Sequence, residues 1–349
     1  MIGIFSIIRS LNEEGVAILL VERNAKPAMR HSTRLPAAPR RIPVSPYLLL
    51  VLTTLFWSGN FILARAVRAD VPPVGLAFWR WGVALALLSP FALPHLRAQR
   101  ALLLKSWKIV TTLGILAVSC FNTFVYIGVH TTSATNAVLL NSAAPVLIVL
   151  LSWALLGATV TRRQTAGIAV SLAGVLAIVS HGDPLTLSTL RHEAGELWVL
   201  LAVVSWALYT VLLKRRPAEL HPFSFLGGIM IVGILGLAPL YAWEVSQGIR
   251  MKFDLLTAST VAYVAVFPSV LAYIFWNQAV SEVGANKAGL FLHLMPVFGV
   301  FLSFFLLGES PRLFQGVGIC LIITGIRITS SERNGPGSRS TGLLIEAQQ

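Results

Sequence analysis

The chain is built from long apolar runs broken by short polar or helix-ending stretches. From residue 47 onward, ten of these runs come near the roughly 17–25 residues that a helix needs to cross hydrocarbon. They fall at about 47–67, 73–93, 108–129, 135–156, 164–181, 195–213, 223–246, 259–280, 286–307 and 313–329. Within each run the apolar residues are continuous rather than alternating, which selects helices over barrel strands. In lipid those are the two structures that satisfy every backbone group. The breaks carry the residues that end helices: Asp70-Val71-Pro72-Pro73, Pro94, Gly182-Asp183-Pro184, Pro217, Gly248 and Gly308 to Pro311. The pattern predicts an all-α integral membrane protein with ten transmembrane helices.

The pattern also repeats. The stretch from Ala285 to Ile328 has a weaker twin 151 positions earlier, and one gap-free offset covers about 45 residues. It places Pro145 on Pro296, Leu155-Leu156-Gly157 on Leu306-Leu307-Gly308, Gln164 on Gln315, Gly167 on Gly318 and Gly174 on Gly325. The chain therefore reads as two copies of one unit, residues 46–181 and 195–329. Five helices per copy is an odd number, so the second copy enters the bilayer from the opposite face. A 5+5 inverted repeat is a common plan for alternating-access transporters, with the site near the midplane.

Composition agrees. Of 349 residues, 56% are hydrophobic and 12% charged, with a mean hydropathy of +0.76. A soluble domain carries about twice that charge. The net charge of +13 would suggest nucleic acid in a soluble protein, but here it sits mostly in loops, and no nucleic-acid partner is expected. With a cytoplasmic N-terminus, the inner side holds Arg40, Arg41, Arg97, Arg100, Lys105, Lys108, Arg162, Arg163, Lys214, Arg215, Arg216, Lys287, Arg327 and Arg333. The outer side holds Arg65, Arg68, Arg191, Arg250, Lys252 and Arg312. That bias predicts a multi-pass protein of the cell (inner) membrane with both termini in the cytoplasm. Cys120 and Cys320 both lie in apolar runs, too isolated for a metal cluster or a redox pair.

Residues 1–45 stand apart from the repeat. The run from Ile7 to Arg34 resembles a fragment of the ATPase subunit of branched-chain amino-acid ABC importers, with Ile18-Leu19-Leu20-Val21-Glu22 as a core strand. No phosphate-binding glycine loop precedes it, so no nucleotide chemistry follows from it. A lone strand has nothing to pair with. The segment is expected to be poorly ordered and foreign to the membrane unit, with Met29 as the natural start; the alternative is an amphipathic tail on the membrane surface. Residues 330–349 read as a disordered cytoplasmic tail.

Several stretches resemble the EamA branch of the drug/metabolite transporter superfamily. They are Phe56-Trp57-Ser58-Gly59-Asn60-Phe61, Phe78-Trp79-Arg80, Trp206-Ala207-Leu208-Tyr209 and Ala272-Tyr273-Ile274-Phe275-Trp276-Asn277. Gly284-Ala285-Asn286, Met295-Pro296-Val297-Phe298 and Leu307-Gly308-Glu309 continue the match. The resemblance covers about residues 46–328. It implies ten helices around a central cavity, and secondary transport, often export, of small metabolites. One departure is visible: the glutamate after Leu-Leu-Gly is present as Glu309 but is Ala158 in the first half.

Polar groups within spans are costly and usually face protein or a water-filled cavity. Asn122, Tyr126 and His130 share one face of the third span, Tyr273 and Asn277 one face of the eighth. Trp57 with Asn60, and Ser205 with Tyr209, do the same in the first and sixth. Such faces suit either a cavity for a small polar metabolite or helix-to-helix hydrogen bonding. Arg80 lies about seven residues inside the second span, placed to bind a carboxylate or phosphate, or to snorkel to the outer face. His293, at the position equivalent to Ser142, is a candidate proton carrier. Asn141 shares a face with Pro145. Pro145 and Pro296 each leave a carbonyl unpaired and are candidate hinges. Glu309 reads first as a helix-end anchor.

No HExxH helix, GxSxG elbow or Walker loop occurs, so no enzyme, cofactor or metal is expected. The reading is a secondary transporter, proton-coupled, exporting a small organic metabolite such as an amino acid. It would act as a monomer or homodimer in the lipid bilayer. Two alternatives remain at this point: a broad drug or cation efflux carrier, and a non-transporting membrane scaffold.

Overall fold

The structure, a computed structural model, describes residues 44–131, 137, 140–180, 182–183, 194–307 and 312–330. The N-terminal segment, the C-terminal tail and Glu309 lie outside the described residues. Among those residues, nine helices are long and apolar enough to cross a membrane. They are α1 (Pro46–Ala66), α2 (Pro73–Ala98), α3 (Trp107–Thr131), α5 (Arg162–Val179), α6 (Ala194–Leu212), α7 (Pro222–Ser246), α8 (Leu255–Val283), α9 and α10 (Leu313–Ser330). α9 has two parts, Ala285–Leu290 and Leu294–Leu307, joined by a 3-10 turn at Phe291–His293. Ala144–Leu156 (α4) is shorter but apolar, and lies within the fourth run that the sequence predicts as a crossing.

The two prolines act differently from the expectation. Pro145 does not kink a continuous span 135–156: a turn at Ser142 and Ala143 interrupts it, and α4 starts at Ala144 with the proline in its first turn. There the missing N–H has no helical partner to lose. Pro296 likewise sits in the first turn of the second part of α9. Each proline thus restarts a broken helix. α2 also runs beyond its predicted end, through Pro90 and Pro94 to Ala98.

Packing shows the inverted repeat directly. If the halves exchange, α1 maps to α6, α3 to α8 and α4 to α9. The contact of α3 with α6 then maps onto that of α8 with α1, and α4 with α6 onto α9 with α1; all four are present. α3 with α7 likewise maps onto α8 with α2, while α2 with α7 and α5 with α10 map onto themselves. Small residues allow close backbone approach in membranes, and glycines set the α5–α10 contact. A Cβ on Gly174 would lie 2.5 Å from the Gly318 carbonyl, and one on Gly167 2.6 Å from that of Gly325. Since 167 pairs with 325 and 174 with 318, the helices run antiparallel, as inverted copies must.

The repeat extends to local chemistry. At the start of α5, Thr161 and Gln164 form a reciprocal capping box, with N–H to oxygen distances of 3.1 and 3.2 Å. At the start of α10, Gln315 accepts the Arg312 N–H at 2.8 Å. α3 and α8 each contain a π-helical segment, Ile115–Cys120 and Ala265–Leu271. In both, the N–H that follows reaches back five residues, Phe121 to Leu116 and Ala272 to Phe267. Such bulges leave carbonyls turned off the helical ladder. Pro268 adds to this, since it has no N–H to offer Val264; the Ser269 hydroxyl takes that carbonyl instead, at 2.6 Å.

Candidate functional site

Arg80 is 2% exposed, so it does not snorkel. α2 carries it into the space between the two π-helical segments. Its Nε donates to Ser269 Oγ, and Nη1 to Asn122 Oδ1 at 2.7 Å and Tyr126 Oη at 2.8 Å, with Asn60 Oδ1 further off at 3.4 Å. Nη2 donates to the Pro268 carbonyl at 3.2 Å, and the guanidinium carbon lies 5.2 Å from the Trp81 ring centre. Every one of these acceptors is neutral. A guanidinium has five N–H donors, and this set leaves one on Nη2 without a described partner. Glu244 of the adjoining helix α7 caps α2, accepting from Val74 N at 3.2 Å and Gly75 N at 2.7 Å. Burying an ion without a counter-ion costs several kcal/mol, so Arg80 is a group that an incoming anion would stabilise.

The other predicted polar residues fall into two related bonds. Tyr126 of α3 donates to Asn60 of α1 at 3.0 Å; Tyr209 of α6 donates to Asn277 of α8 at 2.6 Å. Under exchange of the halves Tyr126 maps to Asn277, and Asn60 to Tyr209 if Trp57 is placed on Trp206. One bond is therefore the image of the other with donor and acceptor exchanged. Tyr273, the mate of Asn122, donates to the Ala117 carbonyl at 2.8 Å, where Asn122 Nδ2 also donates. Ser205 turns back to Leu201, and His130 lies half-exposed at the end of α3.

Between the two bonds lies an aromatic cluster. Trp57 meets Trp206 edge-on with ring centres 4.8 Å apart, and Tyr273 and Trp276 pack against both. Trp57 Nε1 donates to the Pro268 carbonyl, whereas Trp206 Nε1 has no partner among the described residues. Trp57, Asn60, Arg80, Asn141 and Trp206 line a cavity of about 10 Å³, room for the centre of about one water molecule. Asn141 reaches its edge, donating to Met295 Sδ at 3.5 Å.

His293 is not part of this cavity. It is fully buried, with Nε2 3.0 Å from the Ser142 carbonyl and Nδ1 2.6 Å from Ser171 Oγ. A carbonyl only accepts, so Nε2 carries a proton. Ser171 Oγ also lies 3.1 Å from the Ile168 carbonyl. The serine can donate to Nδ1, or turn its proton to Ile168 and accept from Nδ1–H. The imidazole thus has partners in both its neutral and protonated forms.

Sequence reasoning did not single out Ser269, Ser171, Trp81 or Trp206 as site residues. Phe267-Pro268-Ser269 inside an apolar span was a signal for the second π segment; nothing comparable marks the first.

An inverted-repeat helical bundle with a buried cation among its helices is a plan that membrane transporters use. The sequence matches the profile of the EamA-like transporter family over residues 44–180 and 193–331, one match per half, and the chain belongs to that family. Similar proteins include one of Bacillus subtilis described as "Uncharacterized transporter YyaM", 30% identical, with the match covering 81% of this chain and 93% of the relative. An Archaeoglobus fulgidus "Uncharacterized transporter" is 28% identical, with 82% and 98% covered. A Streptantibioticus cattleyicolor protein described as "Probable terminal-alkyne amino-acid exporter" is 29% identical, with 82% and 93% covered. Among solved structures, one crystal structure matches with a TM-score of 0.64 at 21% identity, over 82% of this chain and 96% of that one, a likeness of fold.

Proposed function

We propose that this protein exports a small organic metabolite carrying a carboxylate, of the amino-acid class, by alternating access. The observation that carries this is Arg80: a buried guanidinium with only neutral partners, one N–H left over, and the unpaired Trp206 indole N–H lining the same cavity. Donors without acceptors favour an anion. The same charge disfavours a lipophilic cation. The relative described as an amino-acid exporter supports the substrate class. The family supports transport, and the basic-loop bias supports a cytoplasmic-membrane location with both termini inside.

The energy source in this reading is the proton gradient, with His293 as the coupling group. An imidazole can take up and release a proton, and here the Ser171 hydroxyl can turn to accept from Nδ1–H in the protonated form. Proton-coupled counterflow in proteoliposomes, with pooled amino acids, their precursors and organic cations, tests the proposal against Arg80→Gln. Uptake of acidic or zwitterionic compounds that disappears in the variant is the expected result. Preference for cations, or no transport by folded protein, overturns it.

A further inference from the structure

A second opening lies on the face with the basic loops. It is a cleft of about 390 Å³ between the ends of α4, α6 and α8 and the start of α9. Small-molecule sites run from about 300 to 1,000 Å³, so this one is large enough for a metabolite, unlike the cavity at Arg80. Lys214, Arg216 and Lys287 are on its wall, and no acidic residue lines it among the described residues. The Arg216 guanidinium carbon is 5.0 Å from the Phe225 ring centre, which holds the cation in place by its flat face. Deeper in, Thr210 and Ser152 are 0% and 2% exposed, and their hydroxyls have no hydrogen-bond partner among the described residues. Buried hydroxyls without partners cost stability, and both belong to the lining of this cleft.

The cleft ends at Asn277, which accepts from Tyr209. Thr210 lines the cleft, while Trp206, one turn earlier on α6, lines the Arg80 cavity. The two spaces are therefore stacked along α6. What separates them is the Tyr209–Asn277 bond and the rings of Trp206, Tyr273 and Trp276.

We propose that this cleft is a loading site for the anionic group of a small organic acid or zwitterion, released towards Arg80 when the Tyr209–Asn277 bond opens. The proposal deepens the transporter reading and rests on it. A cleft lined by one sign of charge, with apolar walls, focuses its field and raises the local concentration of the opposite ion. Two such stations in series, neither lined by a carboxylate among the described residues, favour the same ligand charge throughout the path. The hydroxyls of Thr210 and Ser152 then supply the polar contacts that fix orientation.

The test uses the full-length protein in proteoliposomes with Cys120→Ser, Cys320→Ser and Ser281→Cys, since Ser281 lines the cleft. The rate of maleimide labelling at position 281 is measured with hexanoate or hexylamine present. The expected result is at least threefold slowing by hexanoate and none by hexylamine. Protection should vanish in Arg216→Gln, persist in Arg216→Lys, and persist in Arg80→Gln. Should Arg216→Gln fold poorly, Lys214→Gln combined with Lys287→Gln is expected to weaken protection in its place. Equal protection by both compounds, no protection by either, or protection indifferent to these variants overturns the loading site. Labelling requires no turnover, so transport without protection sinks this proposal alone. Protection without any transport sinks the transport reading instead.

Discussion

His293 donates Nε2–H to the carbonyl of Ser142, the residue 151 positions before it, at 3.0 Å. That spacing is also the offset that lays one half of the sequence on the other. The bond therefore joins two repeat-equivalent positions, and it lies at the axis that relates the halves. A proton arriving at Nδ1 would change the charge where α4, α5 and α9 meet, and not in either half alone.

Replacing His293 with Gln keeps a donor for Ser142 but removes the titrating group. Gradient-driven transport is expected to fall at least tenfold, while counterflow without a gradient stays within about threefold. His293→Leu should also lower stability by roughly 1–3 kcal/mol, because the buried bonds of the ring to the Ser142 carbonyl and the Ser171 hydroxyl are lost. Thermal unfolding in detergent measures the second effect. Equal loss of driven transport and counterflow in the Gln variant would remove His293 from coupling.

Arg80→Lys is expected to fail nearly as badly as Arg80→Gln. An ammonium cannot match the forked geometry that reaches Ser269, Asn122 and Pro268 together. A charge-assisted hydrogen bond is worth about 1.5–3 kcal/mol, so apparent affinity for a carboxylate substrate should drop about 10- to 100-fold. Substrate titration of counterflow reads this directly.

Gly174→Ala and Gly325→Ala should each destabilise the protein by roughly 1–3 kcal/mol, the usual cost of overpacking. The new methyl in Gly174→Ala meets the Gly318 carbonyl, a backbone atom that no side-chain rotation can move aside. Gly316→Ala on α10, the helix of Gly325, has open space and serves as the control. Its melting temperature should match that of the unmodified protein.

The loop before α7 predicts a pH effect on stability. His221 caps this helix through Nδ1, and its ring stacks on His95 at 3.7 Å. Partial burial, then the neighbouring imidazole, push its pKa down to about 4 from the usual 6.5. The unfolded chain binds the proton more readily, so the contribution is present in full above about pH 6.5 and is lost as pH falls towards 4. The ring is half-exposed, and solvent screening keeps the effect near 1 kcal/mol. Melting curves from pH 7 to 4.5 should show this decline, reduced in His221→Asn.

Much of the architecture was legible because membranes demand it. Length and breakers gave the crossings, and the offset of Pro145 on Pro296 and Gln164 on Gln315 gave the two copies. Arg80, Asn60, Asn122 and Tyr126 were legible as candidates because polar groups are rare in such spans, and the structure brings all four together. The pairing was not. Helical spacing shows that Asn122 and Tyr126 share a face, but not that a π segment turns that face onto another helix. Nor does it show that Tyr209 finds Asn277 while Tyr273 finds a backbone carbonyl. Those choices depend on which carbonyls each bulge releases, a tertiary property. The prolines were read as hinges within continuous spans because sequence alone cannot tell a bent helix from one that stops and starts again.

The two image-related Tyr–Asn bonds are unequally supported. Tyr126 and Asn60 are tied to the guanidinium of α2, itself bound to Ser269 and Pro268 of the other half. Tyr209 and Asn277 have no such tie, because α7, the mate of α2, contains no lysine or arginine. One hydrogen bond is worth about 1 kcal/mol net, a weaker tie than a charged network of five acceptors. Duplicate halves thus meet at unequal ties: a charged network on the Arg80 side, and a single hydrogen bond towards the basic face.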